Sequence, residues 1–331
     1  MLSKERVLAL LNAAAGEYCS GEEMSKVLGI SRAAVWKAVE VLRNEGCVIS
    51  SLPRKGYRLD ELPDGVRPEV LAQALSGCRL GREIVCLDTT DSTNSEVKRR
   101  AAAGAKEGLV VTAEEQAGGR GRRGRNFQSL RGQGLYLSAL LRPALPPATA
   151  VELTAYTAVA VCDGIEVCCG VRPQIKWTND IVLGGKKLCG ILTEMEIEGE
   201  SGALNFVVVG IGVNVKQTPS DFGPELSSIA ISLESYLGRT VYRGALVEHI
   251  LRSLDEMYKD FPEKKELWLA RYRSDCVTVG REVVILRDNK EKSAYAEGID
   301  HNFNLMVRFP DGRHENITAG EVSVRGLLGY I

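Results

Sequence analysis

Gly118-Gly119-Arg120-Gly121-Arg122-Arg123-Gly124-Arg125 is half glycine and half arginine. Glycine lets a backbone approach an anion closely, and arginine forks match phosphate or carboxylate oxygens two at a time. An RGG-type nucleic-acid segment is the competing reading, but such segments sit in disordered, repetitive surroundings. Here the run lies between two strand-like stretches, 109–113 and 135–141. That setting favours an ordered loop for a small anionic ligand inside a folded sheet.

Working outward, further strand-like runs fall at 84–87, 174–177, 190–196 and 206–213, with helical stretches near 94–103, 148–167 and 242–261. Pro68 suits the first turn of a helix through Val70, Leu71, Ala74 and Leu75. Strands and helices without a regular βαβ alternation predict an α+β domain built on a mixed α/β sheet. From Cys276 onward come five short strand signals and the turn pair Asp311-Gly312, the pattern of a small β-barrel.

Upstream, a helix carries the stripe Val7, Leu10, Leu11 and Ala14. Ser20-Gly21-Glu22-Glu23 reads as a capping box before a short helix through Met24, Val27 and Leu28. Gly29-Ile30 turns the chain, and Ser31 caps a third helix that buries Val35, Ala38, Val39 and Leu42. Two strands near 48–52 and 57–59 follow, joined through Pro53-Arg54-Lys55-Gly56. This is a winged helix-turn-helix pattern, in which the second helix enters the major groove by its N-terminal residues. Those are Ser31, Arg32, Ala33, Trp36 and Lys37, while Arg54 and Lys55 at the hairpin tip suit phosphates. A small helical bundle for protein contacts is the alternative; Trp36 could be a core residue, but it lies beside the Val35/Val39 stripe, not in it. The partition is a helix-turn-helix domain over 1–62, a linker over 63–68, a larger mixed-sheet domain carrying the arginine run over 69–273 and a C-terminal barrel over 274–331.

Bulk properties exclude several classes. A net charge of −1 over 331 residues confines any nucleic-acid contact to a local patch. No stretch approaches the ~18 apolar residues of a membrane span, and the first residues lack the apolar core of a secretory signal. Nine cysteines without a C-x-x-C, and three histidines far apart, suit reduced thiols in the cytoplasm better than disulfides or zinc.

Other motifs flank the arginine run. Asp91-Ser92-Thr93-Asn94 precedes a helix, where it either caps that helix or binds a polar ligand. Lys176-Trp177-Thr178-Asn179-Asp180 ends a strand, and Gly184-Gly185-Lys186-Lys187-Leu188-Cys189-Gly190-Ile191-Leu192 looks like a hairpin turn entering the next. Gly210-Ile211-Gly212-Val213-Asn214 closes an apolar strand.

The order D-S-T-N, Q-x-x-G-R-G-R-x-G-R, K-W-x-N-D, K-L-x-G-I-L and G-I-G-V-N resembles the bacterial biotin protein ligases. With the N-terminal segment it resembles the bifunctional kind that also represses biotin genes, and the resemblance covers essentially the whole chain. It implies a winged helix-turn-helix domain, a biotin/lipoate-ligase-type sheet domain and an SH3-like barrel. Ser92, Thr93, Asn94 and Gln116 are similar to residues that hold biotin. Arg120, Gly121 and Arg122, with Arg123 and Arg125, fall in a loop that closes over biotin and the adenylate phosphate. Lys187 resembles the lysine that reaches the biotin carboxylate and α-phosphate, which makes Arg122 and Lys187 the expected catalytic cations. Lys176, Asn179 and Asp180 fall in a nucleotide and Mg²⁺ motif, with Asp180 the expected Mg²⁺ ligand, and Asn214 lies near the nucleotide. Phe222 is expected over the adenine. Thr178 departs from the proline usual in its motif, and Phe127 from a common tryptophan.

ATP and Mg²⁺ are then the cofactors and biotin the substrate, with no tightly bound metal or prosthetic group. The partners are a biotin carboxyl carrier domain of a biotin-dependent carboxylase, operator DNA and a second copy of the chain when adenylate is bound, with no membrane. A lipoate-type ligase, a repressor that only senses a ligand, and an RNA-binding protein remain as rivals.

Overall fold

The computed structural model describes residues 3–14, 16–44, 47–61, 64–199, 201–287, 290–318 and 323–326. Leu62 and Pro63, at the expected start of the linker, and residues 327–331 lie outside the described residues. The chain divides into two compact units, Met1–Val70 and Leu71–Ile331.

The first unit runs α1 (Ser3–Ala13), α2 (Gly21–Leu28), α3 (Arg32–Asn44), β1 (Val48–Leu52) and β2 (Gly56–Glu61). Val7, Leu11, Met24, Val35, Val39 and Leu42 form its core, as their helical spacing dictates. Val27 is the exception at 62% exposed. Met24 and Leu28, four residues apart, take the buried line of α2, and Val27 falls beside it. Ser20 caps α2 by accepting from the Glu22 N–H at 3.3 Å, one residue short of the partner a capping box uses. Ser31 Oγ accepts from the Ala34 N–H at 3.1 Å and so caps α3. In the antiparallel β1–β2 hairpin Leu52 faces Gly56, which leaves Arg54 and Lys55 exposed at the tip.

After α4 (Pro68–Ala74), the second unit is built on β3 (Glu83–Thr90), β4 (Leu109–Gln116), β5 (Gly134–Leu141), β6 (Gln174–Lys176), β7 (Asp180–Leu183), β8 (Lys186–Ile197) and β9 (Leu204–Asn214). Their order is β3-β4-β5-β9-β8-β7-β6, with β3 and β4 parallel and the other neighbours antiparallel. This is the expected mixed sheet, with one strand added: β7 follows β6 so closely that 174–183 is a tight hairpin.

Side-chain alternation sorts the two faces. Helix α5 (Thr93–Ala102) lays Val97 and Ala101 against Leu140, Phe206 and Val208. The opposite face takes α7 (Leu153–Cys169), whose Thr154 hydroxyl meets Thr193 of β8 at 3.0 Å. The expected 148–167 helix is two, α6 (Pro147–Ala150) and α7. Helix α7 is buried nearly all round because α10 (Arg243–Asp260) covers its outer side. At Gly164 a Cβ would lie 2.6 Å from the Ile250 Cα, so the helix crossing requires glycine there.

Between β9 and α10 lie α8 (Pro219–Leu226) and α9 (Leu233–Leu237), and α11 (Lys265–Asp275) follows α10. The tail forms β10 (Glu282–Arg287), β11 (Lys290–Ile299), β12 (Leu305–Arg308), β13 (His314–Ile317) and β14 (Ser323–Gly326). These pair antiparallel as β13-β12-β11-β10-β14, and among the described residues β13 and β14 do not pair with each other. Aromatic packing ties this sheet to the helices. The Phe303 ring lies 5.3 Å from Tyr156 and 5.5 Å from Tyr272, and the Trp177 indole donates to the Phe303 carbonyl at 2.9 Å. Among the described residues no helix is long and apolar enough to cross a membrane.

Candidate active site

The register of the large sheet brings the scattered motifs into line. Tyr136 of β5 faces Gly212 of β9, Gly212 faces Gly190 of β8, Gly190 faces Asp180 of β7, and Asp180 faces Lys176 of β6. Directly opposed residues share a face. The next row is Ser138, Gly210 and Leu192. Glycines in both rows strip the sheet of side chains and leave room above it. A Cβ on Gly210 would meet Asn94 Oδ1 at 2.1 Å, and one on Gly212 would meet the Phe127 ring at 2.6 Å.

Above this floor lies a cavity of about 470 Å³. It is lined by Ser92, Thr93, Asn94, Gln116, Arg120, Gly121, Arg122 and Arg125 on one side of the sequence and by Lys176, Asn179, Asp180, Lys187 and Asn214 on the other. The structure therefore gathers every residue expected to bind biotin or nucleotide around one space.

One wall is a polar network at the start of α5. Gln116 Oε1 accepts from the Thr93 N–H at 2.8 Å and from its hydroxyl at 3.1 Å, while Gln116 Nε2 donates to Ser129 Oγ at 2.8 Å. Both ends of the Gln116 amide are thus fixed. Asn94 Nδ2 donates to the Leu192 carbonyl at 3.2 Å and to Glu194 Oε2 at 2.7 Å, and its Oδ1 lies 2.6 Å from Ser138 Oγ. Asn94 is only 3% exposed and spends its donors on the protein, so it shapes the wall from behind. Ser92 occupies the N-cap position of α5, yet its hydroxyl makes no cap bond. Plain capping does not account for it.

The opposite wall carries charge. Lys187 Nζ sits 2.7 Å from Asp180 Oδ1. Asn179 Nδ2 donates to the Ile191 carbonyl at 2.8 Å, which points its oxygen at the loop, where Arg122 Nη1 donates to it at 3.0 Å. Burial lowers the Arg122 pKa, partly offset by Asp180, but a guanidinium keeps its proton in proteins and so stays a cation. Asn214 donates to the Ile231 carbonyl at 3.2 Å. The arginine run is an ordered loop, closed at its neck where the Phe127 N–H donates to the Gly119 carbonyl at 2.9 Å and the Gly121 N–H to the Arg125 carbonyl at 2.7 Å.

The departures from the motif find places too. Phe127 packs edge-on to Tyr136, with ring centres 6.3 Å apart. Thr178 is buried, its carbonyl accepts from the Tyr272 hydroxyl at 3.1 Å, and the Trp177–Thr178 peptide is cis. Phe222 lines the cavity from α8, which starts with a capping box between Thr218 and Asp221. Ser129, Ser138, Lys98 and Glu194 escaped the sequence reading. Ser138 left a trace, as the one serine in the otherwise hydrophobic run 135–141.

In the first unit, Ser31, Arg32, Ala33, Trp36 and Lys37 are all exposed at the start of α3, with Trp36 at 56%. Trp36 is therefore no core residue.

Residues 86–214 match the biotin/lipoate A/B protein ligase family, and residues 4–58 match an HTH domain. Sheet, cavity and helix-turn-helix together define a ligase of that class joined to a DNA reader. The chain is 39% identical over 314 residues to the bifunctional ligase/repressor BirA of Bacillus subtilis (strain 168), covering 93% of this chain and 95% of that one. It is 30% identical over 321 residues to the protein of the same name from Escherichia coli (strain K12), covering 97% and 96%. The solved biotin protein ligase from Aquifex aeolicus in complex with biotin and ATP matches with a TM-score of 0.63 and 27% identity over 74% of this chain and 99% of that one. The chain belongs to the bifunctional ligase/repressor family.

Proposed function

We propose that this protein joins biotin to an acceptor lysine at the expense of ATP and represses biotin genes through its helix-turn-helix domain. The observation that carries the enzymatic half is the single row Lys176–Asp180–Gly190–Gly212 beneath the arginine loop. It sets a bare floor and converging cations where two anionic substrates must meet.

The biotin carboxylate attacks the α-phosphorus of ATP and expels pyrophosphate, giving biotinyl-5′-AMP. The amine of an acceptor lysine then attacks the carbonyl of this mixed anhydride, and AMP leaves. No protein nucleophile is required. Lys187, Arg120 and Arg122 offset the repulsion between carboxylate and phosphates and the charge that develops in displacement. Ser92, Thr93 and Gln116 hold the biotin ring system, with Asn94 supporting them. Lys176, Asn179, Asn214 and Arg125 hold the nucleotide. The arginine loop also excludes water from the adenylate.

Mg²⁺ fits the donor set in its usual manner, one carboxylate shared with substrate phosphates. Asp180 is that carboxylate, and among the described residues no cluster of three metal-binding side chains offers a cage. When bound there, the ion would neutralise phosphate charge.

The acceptor is a biotin carboxyl carrier domain, and the DNA partner is an operator met by Ser31–Lys37 and the Arg54-Lys55 tip. A homodimer formed with biotinyl-5′-AMP bound is the repressing species. The cytoplasm, which holds both ATP and DNA, suits these activities. The C-terminal sheet is read as an SH3-like barrel, with 1–62, 69–273 and 274–331 as the three domains. Incubation with biotin, ATP, Mg²⁺ and a carrier domain should label one lysine. If lipoate is attached in place of biotin, or if neither is, the reading fails.

A further inference from the structure

Backbone bonds close the neck of the arginine loop, so its position over the cavity depends on where its arginines dock. Arg122 docks on Asn179, in the turn between β6 and β7. Arg120 docks elsewhere. Its Nη2 donates to Ser95 Oγ at 2.8 Å and lies 4.0 Å from Glu194 Oε2. That same carboxylate oxygen accepts from Asn94 Nδ2 at 2.7 Å, and the other takes Lys98 Nζ at 2.5 Å. Nothing in the reaction as derived above uses Glu194. It is not among the side chains that line the cavity.

We propose that Glu194 is a docking post of the arginine loop, a positioning residue that holds Arg120 against the wall carrying Asn94 and so sets how long the acyl-adenylate stays enclosed. The inference rests on the ligase reading of this cavity. Burial raises the carboxyl's pKa, but hydrogen bonds from Lys98 and Asn94 and the charges of Lys98 and Arg120 outweigh it, so Glu194 sits below the usual carboxylate range. It is therefore ionised whenever the enzyme works. Lys98 and Arg120 share its charge, which makes Lys98 a competitor of the loop. Removing Lys98 leaves Arg120 as the main cation partner.

This sharing predicts effects of opposite sign from the two ends of one ion pair. In full-length protein loaded with biotin and ATP, first-order escape of biotinyl-5′-AMP should quicken about three- to fivefold in Glu194→Gln, the scale of a partly exposed charge pair. In Lys98→Met escape should be slower than in the parent. Adding Arg120→Met to Glu194→Gln should quicken escape less than Arg120→Met does alone, since the two share one contact. A purely structural role for Glu194 would move both single variants the same way, and that result, or unchanged escape from Glu194→Gln, overturns the proposal. A parent protein that makes no biotinyl-5′-AMP would instead overturn the ligase reading itself.

Discussion

Lys187 is held over the cavity by Asp180, and the two side chains are 30% and 21% exposed. A pair this open contributes about 1 kcal/mol or less to stability, whereas a fixed cation at the point of charge development is worth roughly 10²–10³ in rate. Lys187→Ala should therefore fold normally and lose pyrophosphate release from biotin and ATP by about that factor; an unchanged rate would remove Lys187 from the reaction. Arg122 contributes differently, because its bond to Asn179 also tethers the loop tip. Arg122→Gly should release biotinyl-5′-AMP into solution and biotinylate exposed lysines of bystander proteins, and labelling that stays on one acceptor would refute the lid. Arg122 was legible in the sequence because charge concentrated among glycines between two strands has few structural uses, whereas Lys187 was reached through the resemblance of its motif. Glu194 and Ser138 were not legible. Their positions acquire meaning only through the register that sets Ser138 beside Gly210 and Glu194 opposite Val208.

At the scale of elements, what could be read was what is long and strongly patterned. Strand β9 and the α2–turn–α3 unit fall where apolar spacing and caps put them, while the helix read at 148–167 is broken into α6 and α7. Strand β6 falls in the strand-like run read at 174–177, whereas β7, with four residues, shows no period and takes its place only by pairing in the sheet. Helix α11 was missed because only Trp268, Leu269 and Tyr272 are its buried apolar residues, and most of its other positions are charged. The contact between α7 and α10 supplies a test of how tightly such elements fit. At Gly164 an added methyl meets backbone, 2.6 Å from the Ile250 Cα and 2.8 Å from its nitrogen, and neither can rotate away. Gly164→Ala gains helix propensity of about 1 kcal/mol, but forcing the helices apart costs about 1–3 kcal/mol. Urea denaturation should show a lower midpoint; a higher one would mean that the crossing relaxes freely. Because α7 lies on the face of the sheet opposite the cavity, the Michaelis constant for biotin should change little.

For the whole molecule, two compact units raise the question of why a ligase carries its own DNA reader. Linkage gives a physical reason. An adenylate that stays enclosed is both an intermediate and a record that no acceptor has consumed it. A ligand shifts an assembly equilibrium only by its difference in affinity for the two states. Under the proposed function, biotinyl-5′-AMP that prefers the dimer would drive dimer formation and raise operator occupancy. The possible size is substantial, since a ligand at about a hundred times its Kd stabilises the form it selects by about 2.7 kcal/mol. Operator affinity in a gel shift should thus rise on adding biotin plus ATP, and sedimentation should show dimer appearing over the same range. Excess carrier domain should reverse both by draining the adenylate. Arg122→Gly, which cannot keep its adenylate, should bind the operator weakly whatever the biotin concentration. Operator affinity indifferent to biotin and ATP, in a protein that still ligates, would separate the two activities and leave the DNA reader without its proposed signal.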